Sequence, residues 1–166
     1  MMVEESFGEA VRKGRTKEVQ KLVEEYGKGL LHVPVTYDGR TALVVAARKG
    51  YLELCEWLLD EGAAVDSPSQ DGDTALLCAS AEGHLKLIEL LLRCRANVNA
   101  QNVDGNSALI LATYYNRLDA CQLLLSHGAE SMLQDSDGQT AANVAQERGF
   151  ESLKQLLEGR GAPCKL

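Results

Sequence analysis

The sequence predicts an all-α repeat protein, a solenoid of helix–turn–helix pairs joined by β-hairpin-like loops. The prediction rests on three positions that recur every 33 residues in a chain of 166. The first is the aspartate that opens the pattern Asp-Gly-x-Thr/Ser-Ala: Asp38, Asp71, Asp104 and Asp137. The second marks the middle of each unit: Gly50, Gly83, Asn116 and Gly149. The third is a leucine: Leu58, Leu91, Leu124 and Leu157. Three positions held in register over four copies indicate an internal repeat.

Each unit opens with a turn signal and a helix-start signal, as residues 69–101 illustrate. Asp71-Gly72 favours a turn, because glycine adopts positive φ without steric cost and aspartate can bond its own backbone. Thr74 stands directly before an apolar run, where its hydroxyl can accept a hydrogen bond from the first helical turn. Gly83 predicts the end of this short helix.

A second helix follows in the segment HLKLIELLLR, and ANVNA then leads out in an extended path to the next turn. Its apolar residues recur at helical spacing: Leu85, Ile88, Leu91 and Leu92. Neither helix is expected to be stable alone, since isolated helices below about 12–15 residues are marginal in water. Both carry apolar residues on more than one face. We therefore expect the units to stack and to gain stability from nearest-neighbour interfaces.

These motifs resemble ankyrin repeats, whose unit begins D-x-x-G-x-T-P-L-H-x-A-A and continues through G-H-L-E-I-V-x-x-L-L to G-A-D-V-N-A. The first unit here reads YDGRTALVVAARKGYLELCEWLLDEGAAVDS, and the second contains GHLKLIELLL and ANVNA. The resemblance covers residues 36–162. The Pro and His of T-P-L-H are absent from all four units, although the turn and N-cap residues remain.

The two ends of the chain depart from the unit. Residues 7–26 read as a helix pair without a hairpin, and the stretch 27–35 contains three residues more than the period allows. We expect a longer connection there, with three apolar residues folding back on the stack: Leu30, Leu31 and Val33. Asn143 and Gln146 replace apolar or small residues in the fourth unit, which suits a terminal unit with one face in water.

The chain is therefore predicted to form a single ankyrin-repeat domain, 1–166, with five helix pairs. The first and last pairs are expected to act as caps. The predicted ranges are an N-terminal capping repeat with its extended loop, three repeats, a C-terminal capping repeat and a tail: 4–35, 36–68, 69–101, 102–134, 135–162 and 163–166.

Composition argues against several classes of partner. The net charge is −7, and acidic neighbours cancel the only basic stretch, VRKGRTKEVQK. Neither nucleic acid nor an anionic membrane surface is therefore expected as a partner. No apolar window approaches the roughly 18 residues of a membrane span, and the N-terminus lacks the apolar core of a secretory signal. We expect a cytoplasmic, and alternatively a nuclear, protein.

The five cysteines fit a reducing compartment. Cys55 and Cys121 occupy the repeat position where the second unit has Ile88, which indicates core residues. The odd count and the absence of a CxxC pair favour free thiols.

No arrangement of residues in the sequence indicates catalysis. His84 follows a glycine as in the family pattern, and neither His32 nor His127 has a nucleophile or carboxylate at a motif spacing. No HxxxH or CxxC suggests a metal, and the glycines are punctuation of the repeats rather than a phosphate loop. We predict no enzymatic activity, no metal and no cofactor.

The resemblance implies a binding surface, because ankyrin stacks bind partners with the hairpin tips and inner helices of their concave face. By position, the candidate tip residues are Tyr37, Arg40, Gln70, Asp73, Val103, Asn106 and Gln139. The candidates at the ends of the inner helices are Arg48, Lys49, Glu82, Tyr114, Tyr115, Glu147 and Arg148.

Tyr114 and Tyr115 are the most distinctive pair, because large amphipathic rings bury much area at low entropic cost. The alternative is that one ring packs against the neighbouring inner helix. Trp57 similarly fits either core packing or a contact on the convex side. Asn99 in NVNA weakly resembles the hairpin asparagine that is hydroxylated in some ankyrin proteins.

We therefore expect a protein–protein interaction module, monomeric on its own, that serves as an adaptor, scaffold or inhibitor. One alternative is a permanent structural subunit of a larger complex. Another is an ankyrin-type inhibitor of cyclin-dependent kinases, which the size resembles, although full-length inner helices in every unit disfavour it.

Overall fold

The computed structural model describes residues 2–161, and within them the chain forms ten α-helices in five consecutive pairs. The pairs are Met2–Arg12 (α1) with Thr16–Tyr26 (α2), Ala42–Lys49 (α3) with Leu52–Asp60 (α4), Ala75–Glu82 (α5) with Leu85–Arg93 (α6), Ala108–Tyr114 (α7) with Leu118–Ser126 (α8), and Ala141–Glu147 (α9) with Glu151–Gly161 (α10). A short 3₁₀ helix, Lys28–His32, follows α2. The predicted all-α solenoid is confirmed, and the predicted tail, 163–166, lies outside the described residues.

The helices form two layers in sequence order. The odd-numbered helices contact one another consecutively from α1 to α9 and form an inner layer. In the outer layer, α4, α6, α8 and α10 contact one another in the same way. The helices of each pair also contact each other. Such nearest-neighbour packing is the source of stability in a repeat array.

Small residues bring the inner helices close together. From α3 to α9, each inner helix contributes alanines, with serine or threonine in some copies, and all are buried: Ala42, Ala46, Ala75, Ala79, Ser80, Ala108, Ala112, Thr113, Ala141 and Ala145. Leucines of the outer helices complete one continuous core: Leu54, Leu58, Leu87, Leu91, Leu124, Leu153 and Leu157.

The predicted N-caps are confirmed in three of the four units. Thr74, Ser107 and Thr140 each accept a hydrogen bond from the backbone N–H three residues on, at 3.4, 3.3 and 3.3 Å. The Asn143 side chain accepts from the Thr140 N–H in return, which completes a capping box. Thr41 is the exception, since its hydroxyl is buried and makes no such bond within the described residues.

The hairpin turns are held by a residue that the sequence analysis did not single out. Thr36, Ser69, Asn102 and Asp135 each accept, through a side-chain oxygen, the backbone N–H four residues on, at 3.0, 3.1, 2.9 and 2.8 Å. The aspartate of each Asp-Gly pair follows two residues later. The Asp38 carboxylate accepts backbone N–H groups of its own turn, as the sequence suggested, and in the first three units the backbone carbonyl of this aspartate also accepts an N–H group of the next hairpin.

Consecutive hairpins are joined by one backbone hydrogen bond each. The N–H groups of Gln70, Val103 and Ser136 donate to the carbonyls of Asp38, Asp71 and Asp104, at 3.0, 2.9 and 2.8 Å. This ladder, rather than extended strands, links the loops. The described hairpins contain only isolated bridges, at Pro34–Thr41 and Gln101–Ser107.

The glycine in each of the first three hairpins is required for two reasons. Gly105 has φ of 74°, a left-handed conformation that strains other residues. A Cβ atom on Gly105 would also lie 2.8 Å from the Ser136 amide nitrogen of the next hairpin. Gly138 has the same conformation, with φ of 76°, but a Cβ there would meet nothing within 4 Å among the described residues.

A second set of contacts joins consecutive units at the other end of the inner helices. Tyr51, His84 and Arg117 occupy the same repeat position, directly after the glycine or asparagine between paired helices. Their side chains reach the backbone carbonyls of Arg12, Arg48 and Ala81, at 3.3, 3.3 and 3.0 Å. His84 therefore has the structural role that the sequence indicated.

The long first connection folds back on the stack as predicted. Leu30 and Leu31 are buried in the 3₁₀ helix, and Val33 packs against the core. Arg12 donates a hydrogen bond from Nη1 to the Val35 carbonyl at 2.9 Å, which ties α1 to the start of the first hairpin. The capping roles of the first and last helix pairs stay predictions.

We expect Leu91→Ala to lower the free energy of unfolding by about 2–5 kcal/mol, because its fully buried side chain would leave a cavity. Leu85→Ala is the control, since Leu85 is 37% exposed on the same helix. Chemical denaturation measures both. A loss at Leu91 no larger than that at Leu85 would contradict the stacked core.

We expect Gly105→Ala to destabilise the protein more than Gly138→Ala. Both substitutions carry the left-handed strain of about 1–2 kcal/mol, but only the first places a methyl group against the next hairpin. The difference between their unfolding free energies therefore measures the contact between hairpins. Equal losses would show that the neighbouring hairpin does not constrain Gly105.

Candidate functional site

A groove on the inner-helix face, with a volume of about 190 Å³, gathers five of the predicted residues. They come from the first two hairpins and the ends of three inner helices: Arg40, Arg48, Asp73, Glu82 and Tyr115. Four further residues complete the lining: Leu77, Cys78, Ala81 and Leu111. The groove thus combines an apolar wall with a charged and aromatic rim. We call it the inner groove.

Arg40 is a predicted tip residue, and such positions are expected to face outward, but its side chain is only 17% exposed. It forms an ion pair with Asp38 in its own hairpin, and its Nη2 lies 3.5 Å from Asp73 in the next. Asp73 also accepts a hydrogen bond from the Asn102 amide at 3.0 Å. Three hairpins are therefore linked by side chains as well as by backbone.

The charge of Asp38 is stabilised locally. A hydrogen bond from the Thr36 hydroxyl, assisted by the positive charge of Arg40, lowers the pKa of the Asp38 carboxyl. The carboxylate therefore stays ionised at neutral pH and keeps Arg40 in place. The Arg40 Nε atom is buried and makes no hydrogen bond within residues 2–161.

Tyr114 and Tyr115 have different environments. Their rings meet edge to face, with centroids 5.1 Å apart and an interplanar angle of 70°. The Arg148 guanidinium carbon lies 3.5 Å from the centroid of Tyr114, a cation–π contact across units. Tyr114 is thus engaged with its neighbour, whereas Tyr115 lines the inner groove and is 52% exposed.

The remaining predicted residues lie along the same face but outside the groove. Tyr37, Gln70 and Val103 are exposed at consecutive hairpin tips, and Lys49 is exposed at the end of α3. The half-buried residues are Asn106 and Gln139. At the last hairpin, the Gln139 amide donates to the Glu147 carboxylate at 2.9 Å.

Sequence reasoning missed the apolar wall of the groove. Leu77, Cys78 and Leu111 follow the N-caps in apolar runs that read as core. One signal was available, because Cys78 and Leu111 share a repeat position, which Val45 and Val144 fill in the other units. The position is always apolar, but only the neighbouring helices determine how much of it stays accessible.

The buried cysteines are not activated as thiolate nucleophiles. Burial raises the pKa of Cys55 and of Cys78 to about 12, and that of Cys121 to about 11. These side chains therefore stay protonated at neutral pH. Cys94 is free and exposed. Within residues 2–161, no three His, Cys, Asp or Glu side chains are close enough together to hold a metal ion.

Trp57 and Asn99, for which the sequence suggested further roles, both make contacts within the stack. Trp57 is half-buried and packs against the core. The Asn99 amide donates to the Glu130 carboxylate at 3.1 Å, and its oxygen accepts the Glu130 N–H at 2.9 Å. Asn99 therefore joins the loops that follow two consecutive outer helices.

None of the helices in the described part of the chain has the length and apolar character that crossing a bilayer requires. Comparison with known proteins gives one family match, to a model described as ankyrin repeats (three copies), over residues 7–102 and 82–165. No curated protein matches the sequence. Ankyrin repeats are generally protein–protein interaction modules and typically non-enzymatic. The helix pairs, the hairpin ladder and this match together show that the chain belongs to the ankyrin repeat family.

Proposed function

We propose that this protein binds a protein partner through its hairpin tips and inner helices, and thereby acts as an adaptor, scaffold or inhibitor. The inner groove is the observation that carries the proposal. Ala81 and Leu111 are partly exposed in the groove above the buried Leu77 and Cys78, while Arg48, Glu82 and Tyr115 remain accessible at the rim. This combination suits recognition of a partner side chain with an apolar body and a polar end.

Tyr115 is the expected anchor of the interaction. Its half-exposed ring lies beside Leu111 and the neighbouring Tyr114, so a partner can bury it without displacing other contacts. Buried tyrosines contribute strongly to binding because a large ring loses little entropy. Arg48 and Glu82 add opposite charges that favour a particular orientation of the partner.

The groove is also held rigid before binding. Arg40 and Asp73 form its hairpin side, and their ion pair is part of the link between hairpins. A preorganised site loses less conformational entropy on association, which leaves more of the interaction energy for affinity.

The groove alone is too small for a stable interface. A volume of about 190 Å³ suits a single partner side chain, whereas specific interfaces bury about 800 Å² on each partner. The exposed tips at Tyr37, Gln70 and Val103 extend along the same face and provide further area. We therefore infer that the partner spans several hairpins while inserting one residue into the groove.

We place the protein in the cytoplasm or nucleus. The support is that Cys55, Cys78, Cys94 and Cys121 are free thiols, as a reducing compartment favours. Microscopy of a fluorescent fusion tests this placement, and accumulation in a secretory compartment would refute it.

We expect the combined variant Tyr115→Ala and Arg48→Glu to weaken partner binding by at least about tenfold, because it removes the anchor and reverses a rim charge. Affinity capture from the source cell first identifies the retained protein. Calorimetric titration of that purified protein then gives the dissociation constant for each variant.

The matched control is Tyr26→Ala with Arg93→Glu, which makes the same two chemical changes on exposed residues of α2 and α6. This control should bind like the unmodified protein. Equal weakening by both variants, or unchanged binding by the groove variant, would refute the inner-helix face as the binding surface.

A further inference from the structure

A larger recess, of about 510 Å³, lies at the N-terminal end of the stack. It is bordered by the first turn of α1, by Arg12 and by the start of the first hairpin: Glu4, Glu5, Arg12, Pro34, Val35, Thr36 and Tyr37. It shares no residue with the inner groove. We call it the N-terminal recess.

The recess exists because the first helix pair has no hairpin. Aligning Gly14 with Gly50 places Glu4 and Glu5 level with Arg40 and Thr41 of the next unit. The first turn of α1 therefore stands beside the first hairpin, where other units have a hairpin of their own. It covers the hairpin only in part.

The first hairpin consequently keeps an unused backbone donor. The N–H groups at the equivalent positions, Gln70, Val103 and Ser136, each donate to the carbonyl of the preceding hairpin. Tyr37 occupies this position in the first hairpin, and no acceptor for its N–H is found in the part of the chain that the structure describes. A carbonyl from another chain can take the place of the missing hairpin.

The side chains around this donor define the chemistry of an occupant. The carboxylates of Glu4 and Glu5 border one side, and the Tyr37 ring is fully exposed on the other. Pro34 and Val35 supply apolar surface between them. An aliphatic stem that ends in a cation fits all three features, because carboxylates attract it and an aromatic face stabilises it.

Arg12 also borders the recess, and its side chain is fixed at the first hairpin. Arg12 donates a hydrogen bond to the Val35 carbonyl at 2.9 Å, and this bond holds its guanidinium against the hairpin backbone. The net charge of the protein, −7, adds long-range attraction for a basic segment.

The geometry points to a second binding site: the N-terminal recess takes an extended segment of a partner protein that inserts a lysine or arginine side chain between Glu5 and Tyr37. A backbone carbonyl of the segment accepts the Tyr37 N–H and continues the hairpin ladder by one step. The lining of this site is separate from that of the inner groove, although Tyr37 is also one of the tips along which we expect the groove's partner to extend.

The test uses the peptides acetyl-GAKAG-amide and acetyl-GARAG-amide, titrated into the ¹⁵N-labelled full chain and followed by NMR. We expect the amide signals of Glu5, Thr36 and Tyr37 to shift, and the shifts to weaken at high salt because the attraction is screened. Peptides with norleucine or glutamate at the centre should shift these signals much less, because they keep the backbone carbonyl but lack the cation. Equal shifts from the norleucine or glutamate peptides would overturn the proposal.

Substitutions at the N-terminal recess test whether the peptide binds there. Tyr37→Ser and Glu5→Gln should each weaken peptide binding by about threefold, the size expected for one exposed cation–π or charge contact. Glu89→Gln, the same charge change at an exposed position of α6, should have no effect. Equal weakening by Glu89→Gln and Glu5→Gln would show only diffuse attraction to an acidic protein and would overturn the site.

Two further measurements distinguish binding at the N-terminal recess from binding at the inner groove and from self-association. The groove variant Tyr115→Ala with Arg48→Glu should bind the lysine peptide normally, whatever its effect on the protein partner. Analytical ultracentrifugation of the protein alone should show a monomer. A concentration-dependent dimer that Glu5→Gln dissociates would assign the recess to a second copy of this chain and overturn the proposal.

Discussion

The backbone hydrogen bond between consecutive hairpins is the constraint on which the rest of the structure depends. The same two repeat positions are joined at every step, for example the Gln70 N–H and the Asp38 carbonyl. This bond therefore gives every unit the same offset and brings the inner helices within reach of one another. The hairpins can approach this closely only because glycine follows the accepting aspartate, since a Cβ atom on Gly105 would collide with the next backbone. Short helices that are unstable alone gain their stability from this register.

A ladder of this kind leaves different groups unused at its two ends. The first hairpin retains the N–H group of Tyr37 as an unused donor within the described residues. At the last hairpin, no described residue packs against Gly138, where a Cβ atom would meet nothing within 4 Å. The structures at the two ends of the stack differ. At the start, a longer α1 replaces the missing hairpin and leaves a recess. In the last unit, two polar residues, Asn143 and Gln146, lie on the last inner helix where apolar or small residues were expected, and Asn143 completes the capping box of that helix.

The sequence predicted the fold well because its signals are local. Turn glycines, N-cap residues and apolar spacing each act within a few residues, so the helices and their order could be inferred directly. The site could be inferred only in part, because its geometry depends on residues about 33 positions apart. Arg40 looked exposed until its partner Asp73 in the next hairpin was known. Likewise, no pattern within one unit predicts that Arg148 contacts the Tyr114 ring while Tyr115 lines the inner groove.

The same ladder would allow side chains on the proposed binding surface to change without loss of the fold. The residues that donate to the preceding hairpin, Gln70, Val103 and Ser136, do so through their backbone, so their side chains carry no part of the bond. These positions lie at the tips, where the side chains are exposed. Stability therefore depends on glycines, N-caps and buried leucines, whereas the proposed recognition uses tip side chains and the accessible edge of the inner helices. A substitution at a tip can change the partner while the stack is retained, which is the physical reason that one repeat architecture can bind unrelated proteins.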